Sequence, residues 1–112
     1  MIIVGIVIIT AITGWSLTGF FIKPSNYDNF AKCLKQKGAT MYGAEWCGHC
    51  KEQKEAFGES FKYVNYIECP NNQALCEQMG IEGYPTWIIN GIHYAGTQSL
   101  ETLSSLTDCN LK

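Results

Sequence analysis

Apolar residues in this chain fall into two regimes, one continuous and one periodic. The continuous run is MIIVGIVIITAITGWSLTGFFIK, which carries no charged side chain before Lys23. Ile2 to Ile22 is long enough to cross a bilayer as one helix at about 1.5 Å per residue, and Trp15, Phe20 and Phe21 suit its interface. A buried core helix of that length is a poor match to so small a domain. A cleaved signal peptide would want a basic start and a small-x-small site before Pro24, and neither is found. Residues 1–23 are therefore expected to form an uncleaved transmembrane anchor or signal-anchor, with residues 24–112 as the folded domain.

Beyond Pro24 the pattern becomes periodic. Tyr27, Phe30, Ala31 and Leu34 recur at helical spacing, with Ser25 or Asn26 as N-cap and Gly38 as the stop. Ala39 to Gly43 reads as a short buried strand. Gly48 to Phe57 contains good helix formers and ends at Gly58. Lys62 to Ile67 is rich in aromatic and β-branched residues and predicts a strand. Asn72 to Met79 predicts a short helix closed by Gly80. Thr86 to Ile89 and Ile92 to Ala95 flank Asn90-Gly91, the favoured type I′ hairpin pair. Ser99 caps a last helix with Leu100, Leu103 and Leu106 on one stripe and Glu101 in its first turn. The first two strands, joined by a helix, should be parallel neighbours and the last two an antiparallel hairpin. The expected fold class is α/β: a small four-stranded mixed sheet with helices on both faces.

Composition narrows the function. The 112 residues carry a net charge of −2, with eight lysines and no arginine, which sets a nucleic-acid binder aside. Six cysteines in so short a chain indicate an oxidising compartment or a metal scaffold. Lys23, Lys32, Lys35 and Lys37 all follow the apolar run, so the positive-inside rule would place the domain in the cytoplasm. The cysteines outweigh a few lysines within a folded domain, and the expected location is extracytoplasmic: periplasm, lumen or cell exterior.

The chemistry centres on YGAEWCGHCK. Cys47 follows a strand and opens a helix, where backbone N–H groups and the helix dipole favour thiolate and lower a thiol from about 8.5. Cys50 lies one turn further on the same side, so it can resolve a mixed disulfide formed at Cys47. His49 can add positive charge near the sulfur, and a stabilised thiolate makes the disulfide a better oxidant. Trp46 offers an apolar lip to substrate, and Gly48 completes the motif. The competing readings are an inert staple and a zinc site completed by Cys69 with Cys76, or by His49 with His93. The x6 spacing of Cys69 and Cys76 is wider than zinc knuckles prefer. Downstream, Gly83-Tyr84-Pro85-Thr86 contains a candidate cis peptide before a strand, whose backbone edge would pair with a substrate peptide. A plain trans proline opening a strand is the alternative. His93 is expected to face solvent, Tyr84, Trp87 and Tyr94 to form core or cleft wall, and the lysine-and-glutamate face of KEQKE to be a solvated helix face.

WCGHC followed by GYPT resembles the thioredoxin superfamily, and CGHC resembles the motif of protein disulfide isomerases. The longer match, MYGAEWCGHCKEQKEAFG, YVNYIEC and CEQMGIEGYPTWIINGIHYAGTQSLETL, is similar to the thioredoxin-like domain fused to or partnered with vitamin K epoxide reductase homologues. This resemblance implies a thioredoxin-like fold, Cys47 as nucleophile, Cys50 as resolving thiol and Pro85 as the cis-proline, with Tyr84 beside it at the substrate. It implies a thiol oxidant acting on protein thiols, with no cofactor or metal of its own, recharged by a membrane quinone-coupled partner. With one hydrophobic segment, the chain is expected to work with a separate partner or another electron acceptor. Reducing thioredoxins keep a buried acid six residues before the nucleophile, where Met41 stands here. That departure, and Gly-His between the cysteines, fit an oxidase or isomerase better than a reductase.

A disulfide also occurs in this family near Cys69 and Cys76. Their loop is short enough to close as a structural bridge, with a second redox relay pair as the alternative. Cys33 on the first helix and Cys109 after the last remain, and side-by-side packing of the terminal helices would bridge them. The resulting expectation is a membrane-anchored thiol–disulfide oxidoreductase that forms or isomerises disulfides in exported proteins. A reductase of the same fold, or a copper- or zinc-handling module, stands as its alternative.

Overall fold

A computed structural model describes residues 26–111. The expected membrane-crossing segment, residues 2–22, lies outside that range, as does Ser25. Among the described residues no helix is long and apolar enough to cross a membrane.

Helix α1 spans Asp28–Gln36 and buries Phe30, Ala31 and Leu34, the stripe its spacing predicts. Its start differs from the expected cap. Tyr27 takes the N-cap position without a side-chain bond, while Asn26 Oδ1 accepts the Asp28 N–H at 2.8 Å. Ser60, buried, fixes the same turn from outside: its Oγ accepts the Tyr27 N–H at 2.9 Å and donates to Asp28 Oδ1 at 2.7 Å. Lys37 closes the helix, and Gly38 follows with φ +83°, where a side chain would be strained.

Strand β1 (Thr40–Gly43) leads into α2 (Gly48–Phe57), and β2 (Asn65–Glu68) returns parallel to β1. The expected strand over 62–67 is half right. Gly58, at φ +60°, turns the chain into a 3-10 segment, Gly58–Tyr63, so only the second half extends. That segment places Phe61 edge-on to both Phe57 and Tyr66 and sinks Ser60 beneath α1, contacts an extended strand would lose. A short 3-10 turn (Cys69–Asn71) precedes α3 (Gln73–Gln78), which is one residue shorter at each end than its pattern. Strands β3 (Thr86–Ile89) and β4 (Ile92–Ala95) form the expected hairpin, with Asn90 and Gly91 both at positive φ. Helix α4 (Leu100–Thr107) is capped by Ser99, whose Oγ accepts the Thr102 N–H.

The sheet order is β2-β1-β3-β4, with β1 parallel to β2 and antiparallel to β3. Alternation along the strands sorts side chains onto two faces. Met41, Trp87 and Ile89 pack with Phe30, Leu34, Phe57 and Leu103, under α1, α2 and α4. Tyr42 and Ile88 face the other way, onto Cys69, Cys76 and Met79 around α3.

Two disulfides pin these layers. Cys33–Cys109 ties α1 to the chain after α4, beside a hydrogen bond from Lys37 Nζ to the Thr107 carbonyl at 2.9 Å. Cys69–Cys76 closes the turn before α3. Both pairings agree with the sequence expectation. The sequence separations are 76 and 7, so the first bridge removes far more freedom from the unfolded chain. Replacing Cys33 and Cys109 by alanine should lower unfolding free energy by roughly 4 kcal/mol, against roughly 2 kcal/mol for Cys69 with Cys76. Urea unfolding of the two double variants measures this, and equal losses would refute a loop-length origin.

Candidate functional site

The site forms where β1 ends and α2 begins. Cys47 is the N-cap of α2: its backbone is extended and its sulfur accepts the Cys50 N–H at 3.3 Å. The helix start thus directs a backbone dipole at Cys47 Sγ, as the sequence position predicts. One turn on, Cys50 is fully buried, whereas Cys47 is half-exposed; both are free thiols. The pair is one sulfur at the surface backed by one in the interior.

Burial holds the Cys50 thiol well above its ordinary value, at about 11. The neighbouring Cys47 sulfur adds to the rise, while a backbone hydrogen bond at Ala44 and the charge of Lys54 oppose it. The sulfur lies hard against the end of β1. A Cβ on Gly43 would stand 2.8 Å from Cys50 Sγ and 3.3 Å from the Tyr66 hydroxyl, too close for any side chain. Gly48, inside the motif, is different: a Cβ there would meet nothing within 4 Å. Space therefore demands a glycine at Gly43 and not within the CGHC segment.

The Tyr84–Pro85 peptide bond is cis, as the resemblance implies, and Pro85 is fully buried. The Tyr84 carbonyl accepts a hydrogen bond from Cys47 Sγ at 3.6 Å. Trp46 stands 69% exposed, edge-on to Tyr84 with ring centroids 5.8 Å apart. These two rings, with Ile81, Glu77, Pro70 and the Cys69–Cys76 bridge, line a cleft of about 350 Å³ beside the pair. His49 points to solvent at 74% exposure, and its Nδ1 lies 3.2 Å from Glu52 Oε1. Any positive charge on that ring is therefore shared with a carboxylate and is not held for the sulfur alone. His93 is exposed, as expected, with Nε2 2.7 Å from the Met79 carbonyl.

Two groups escaped the sequence reading. Gln53, within KEQKE but apart from its solvated lysine-and-glutamate face, is fully buried. Its Oε1 accepts the Trp87 indole N–H at 2.9 Å and the Gln98 N–H at 2.8 Å, while its Nε2 donates to the Gln98 carbonyl at 3.0 Å. The signal was helical spacing, since Cys50, Gln53 and Phe57 share one buried face. The other group is Tyr66 with Glu68, two positions apart on one face of β2. The Tyr66 hydroxyl donates to Glu68 Oε1, and Glu68 Oε2 accepts the Glu45 N–H at 2.8 Å. Burial, then the hydrogen bond and charge of Glu68, push the Tyr66 phenol upward.

Cys69 and Cys76 are bonded to each other, which removes them as zinc donors to Cys47 and Cys50. Among the described residues no group of three or more His, Cys, Asp or Glu side chains is placed to hold a metal ion. The raised Cys50 thiol gives a pH dependence. Below pH 9.0 the thiol is neutral whether folded or unfolded; between there and about pH 11 only the unfolded chain releases the proton. The reduced protein should therefore lose stability as pH rises through that window. Tyr66 adds a loss of the same sign, so reduced Cys50→Ala is the comparison that isolates the thiol. Its denaturation midpoint should fall less steeply with pH, and parallel curves would contradict the assignment.

Known proteins resemble this chain in sequence and fold. A sequence model of the family described as thioredoxin matches residues 21–108. The chain is 46% identical over 90 residues to the thiol-disulfide oxidoreductase LTO1 of Arabidopsis thaliana, covering 72% of this chain and 24% of that protein. It is 35% identical over 72 residues to a protein disulfide-isomerase of Humicola insolens, covering 58% of this chain and 14% of that one. It thus spans less than a quarter of the length of these relatives. A mutant thioredoxin from Halobacterium salinarum shares the fold with a TM-score of 0.54 at 19% identity, over 80% of this chain and 97% of that one. With the match running from ahead of α1 to the end of α4, and so across every strand of the sheet, the chain belongs to the thioredoxin family.

Proposed function

We propose that this chain is a membrane-tethered thiol–disulfide oxidoreductase that forms or isomerises disulfides in exported proteins, its folded domain outside the cytoplasm. The observation that carries the reaction is the division among its cysteines. Cys33, Cys109, Cys69 and Cys76 are committed to bridges, and Cys47 and Cys50 remain free as one accessible and one buried sulfur. In the oxidised form, a substrate thiolate attacks Cys47 Sγ, breaks the Cys47–Cys50 bond and displaces Cys50. A second substrate thiol then attacks the mixed disulfide, leaving with a disulfide while the pair is reduced. Isomerisation runs through the same mixed disulfide, with Cys50 available to release a stalled substrate. The Tyr84 carbonyl edge and the cleft between Trp46 and the Cys69–Cys76 turn are the surfaces a substrate peptide meets.

The names of the two relatives support the reaction class. The apolar run over residues 2–22 supports the tether, and two structural bridges support an oxidising compartment. A membrane quinone-coupled partner reoxidises the pair in this reading, which rests on the resemblance to domains partnered with vitamin K epoxide reductase homologues.

Cys47→Ser should abolish both insulin reduction and refolding of a scrambled disulfide substrate; retained activity in both would remove the reading. Cys50→Ser should instead accumulate a mixed disulfide. Direction is read from the reduction potential of the pair in the full chain. An oxidant is expected at roughly −120 to −180 mV, and a value near about −270 mV would assign a reductase. A compartment-sensitive reporter on the C-terminus should signal from outside the cytoplasm, and a cytoplasmic signal would overturn the location.

A further inference from the structure

Exchange requires a proton to leave Cys50 whenever that thiol attacks a mixed disulfide, and to return whenever Cys50 is displaced. Cys50 is fully buried, so water does not reach it freely. The groups around its sulfur are few. Cys47 is the reaction partner. Lys54 comes from α2, with its Nζ 4.4 Å from the centre of the Tyr66 ring and its charge felt at Cys50. An ammonium has no lone pair to offer, so Lys54 can steady a thiolate but cannot accept its proton. From β2 come Tyr66 and Glu68.

The register explains how these two reach the site. Parallel pairing sets Tyr66 beside Met41 and Glu68 beside Gly43, so all four side-chain positions share one face of the sheet, the face that α2 covers. Because Gly43 has no side chain, the Cys50 sulfur and the Tyr66 hydroxyl close on the same point above it, 2.8 Å and 3.3 Å away. The hydroxyl is already committed as donor to Glu68 Oε1, which leaves its oxygen lone pairs free to accept. Glu68 is half-buried and tied to the N–H of the exposed Glu45, so its carboxylate connects the interior to solvent.

We propose that Tyr66 and Glu68 form a proton relay for Cys50, an inference that rests on Cys47 and Cys50 being the reacting pair. In resolution, the Cys50 S–H passes its proton through one water to the Tyr66 oxygen, as the Tyr66 O–H passes its own to Glu68. The Cys50 sulfur bonds to Cys47 Sγ, the bond from Cys47 to the substrate sulfur breaks, and the substrate departs as thiolate. Glu68 then returns the proton to solvent or to that thiolate. In the opposite direction, a substrate thiolate displaces Cys50, and the same path delivers a proton from Glu68 through Tyr66 to the leaving sulfur. No external oxidant or reductant enters either step. The burial that raises Cys50 is what makes such a path necessary, since the thiol does not ionise unaided near neutrality.

The test uses the full reduced chain and a small symmetric aromatic disulfide whose released thiolate absorbs light. Attack by Cys47 releases one thiolate, and attack by Cys50 on the resulting mixed disulfide releases the second. Tyr66→Phe keeps the ring against Phe61 and Lys54, and Glu68→Gln keeps an acceptor for the Glu45 N–H. Both should leave the first release unchanged, and a circular-dichroism spectrum matching the parent's reports that each variant is folded. Both should slow the second release about 100-fold near neutral pH. The pH profile separates a relay from a packing role. In the parent chain the second release should level off near neutrality, whereas in both variants it should climb steadily toward the alkaline range where Cys50 ionises alone. A second release within about threefold of the parent in both variants, with an unmoved profile, would overturn the relay and leave the pair intact. A parent chain that releases only one thiolate, or a Cys50→Ser chain that still releases two, would overturn the pair and the relay together.

Discussion

Gln53 is the side chain on which the placement of Cys47 and Cys50 depends. A carboxamide with no solvent access must find its partners within the protein or cost several kcal/mol in desolvation. It finds them on β3 and on the chain before α4, through the Trp87 indole and both backbone groups of Gln98. Helix α2 is thereby fixed along its axis and about it, one turn below Cys50. Apolar packing of Phe57 alone would allow the helix to slide or roll, since dispersion has little directionality. With Gln53 in place, Cys50 is directed inward to the end of β1 and Cys47 outward to Tyr84. The difference in solvent access between the two sulfurs follows from that anchorage.

Much of this was legible in the sequence, and the reasons are specific. Asn90-Gly91, Gly38 and Ser99 act through local backbone preference, so their turns and cap appear where the pattern puts them. Cys47 at a strand-to-helix junction declares its own chemistry, and Met41, Trp87 and Leu103 sit in the core as their alternation and spacing require. The exceptions were settled by distant partners. Tyr63 has strand propensity, but Gly58 and the burial of Ser60 beneath α1 wind that segment into a 3-10 turn. Gln53 resembles its charged neighbours in type, and only its place on the Cys50–Phe57 face marks it as interior. His49 stands beside the cysteines in sequence, yet its ring turns to solvent and meets Glu52 one turn on. The Tyr66–Glu68 pair matters only because parallel register sets it beside Met41 and Gly43, and register is a property of two strands together.

Gly43 shows how an absent side chain shapes chemistry. Glycine near a motif is commonly read as freedom for the backbone to turn, yet here it ends a regular strand at ordinary pairing geometry. What it provides is proximity: a sulfur from the helix and a phenol from the neighbouring strand converge on the position a methyl group would occupy. The demand is steric and originates in residues far along the chain. Gly48 lies within the motif itself, where the geometry makes no such demand.

The two structural bridges have a consequence of another kind. A domain with two free thiols carries, in its own scaffold, two bonds of the type a thiolate attacks. Cys69, Cys76 and Cys109 are almost wholly shut away from solvent, while Cys33, bonded to Cys109, is half-buried. A thiolate must approach a disulfide along the line of its sulfurs, and the burial of three of these four cysteines restricts that approach. The domain therefore keeps its sulfurs in two settings: a free pair that reaches the surface through Cys47, and a covalent frame mostly withdrawn from solvent a few side chains away.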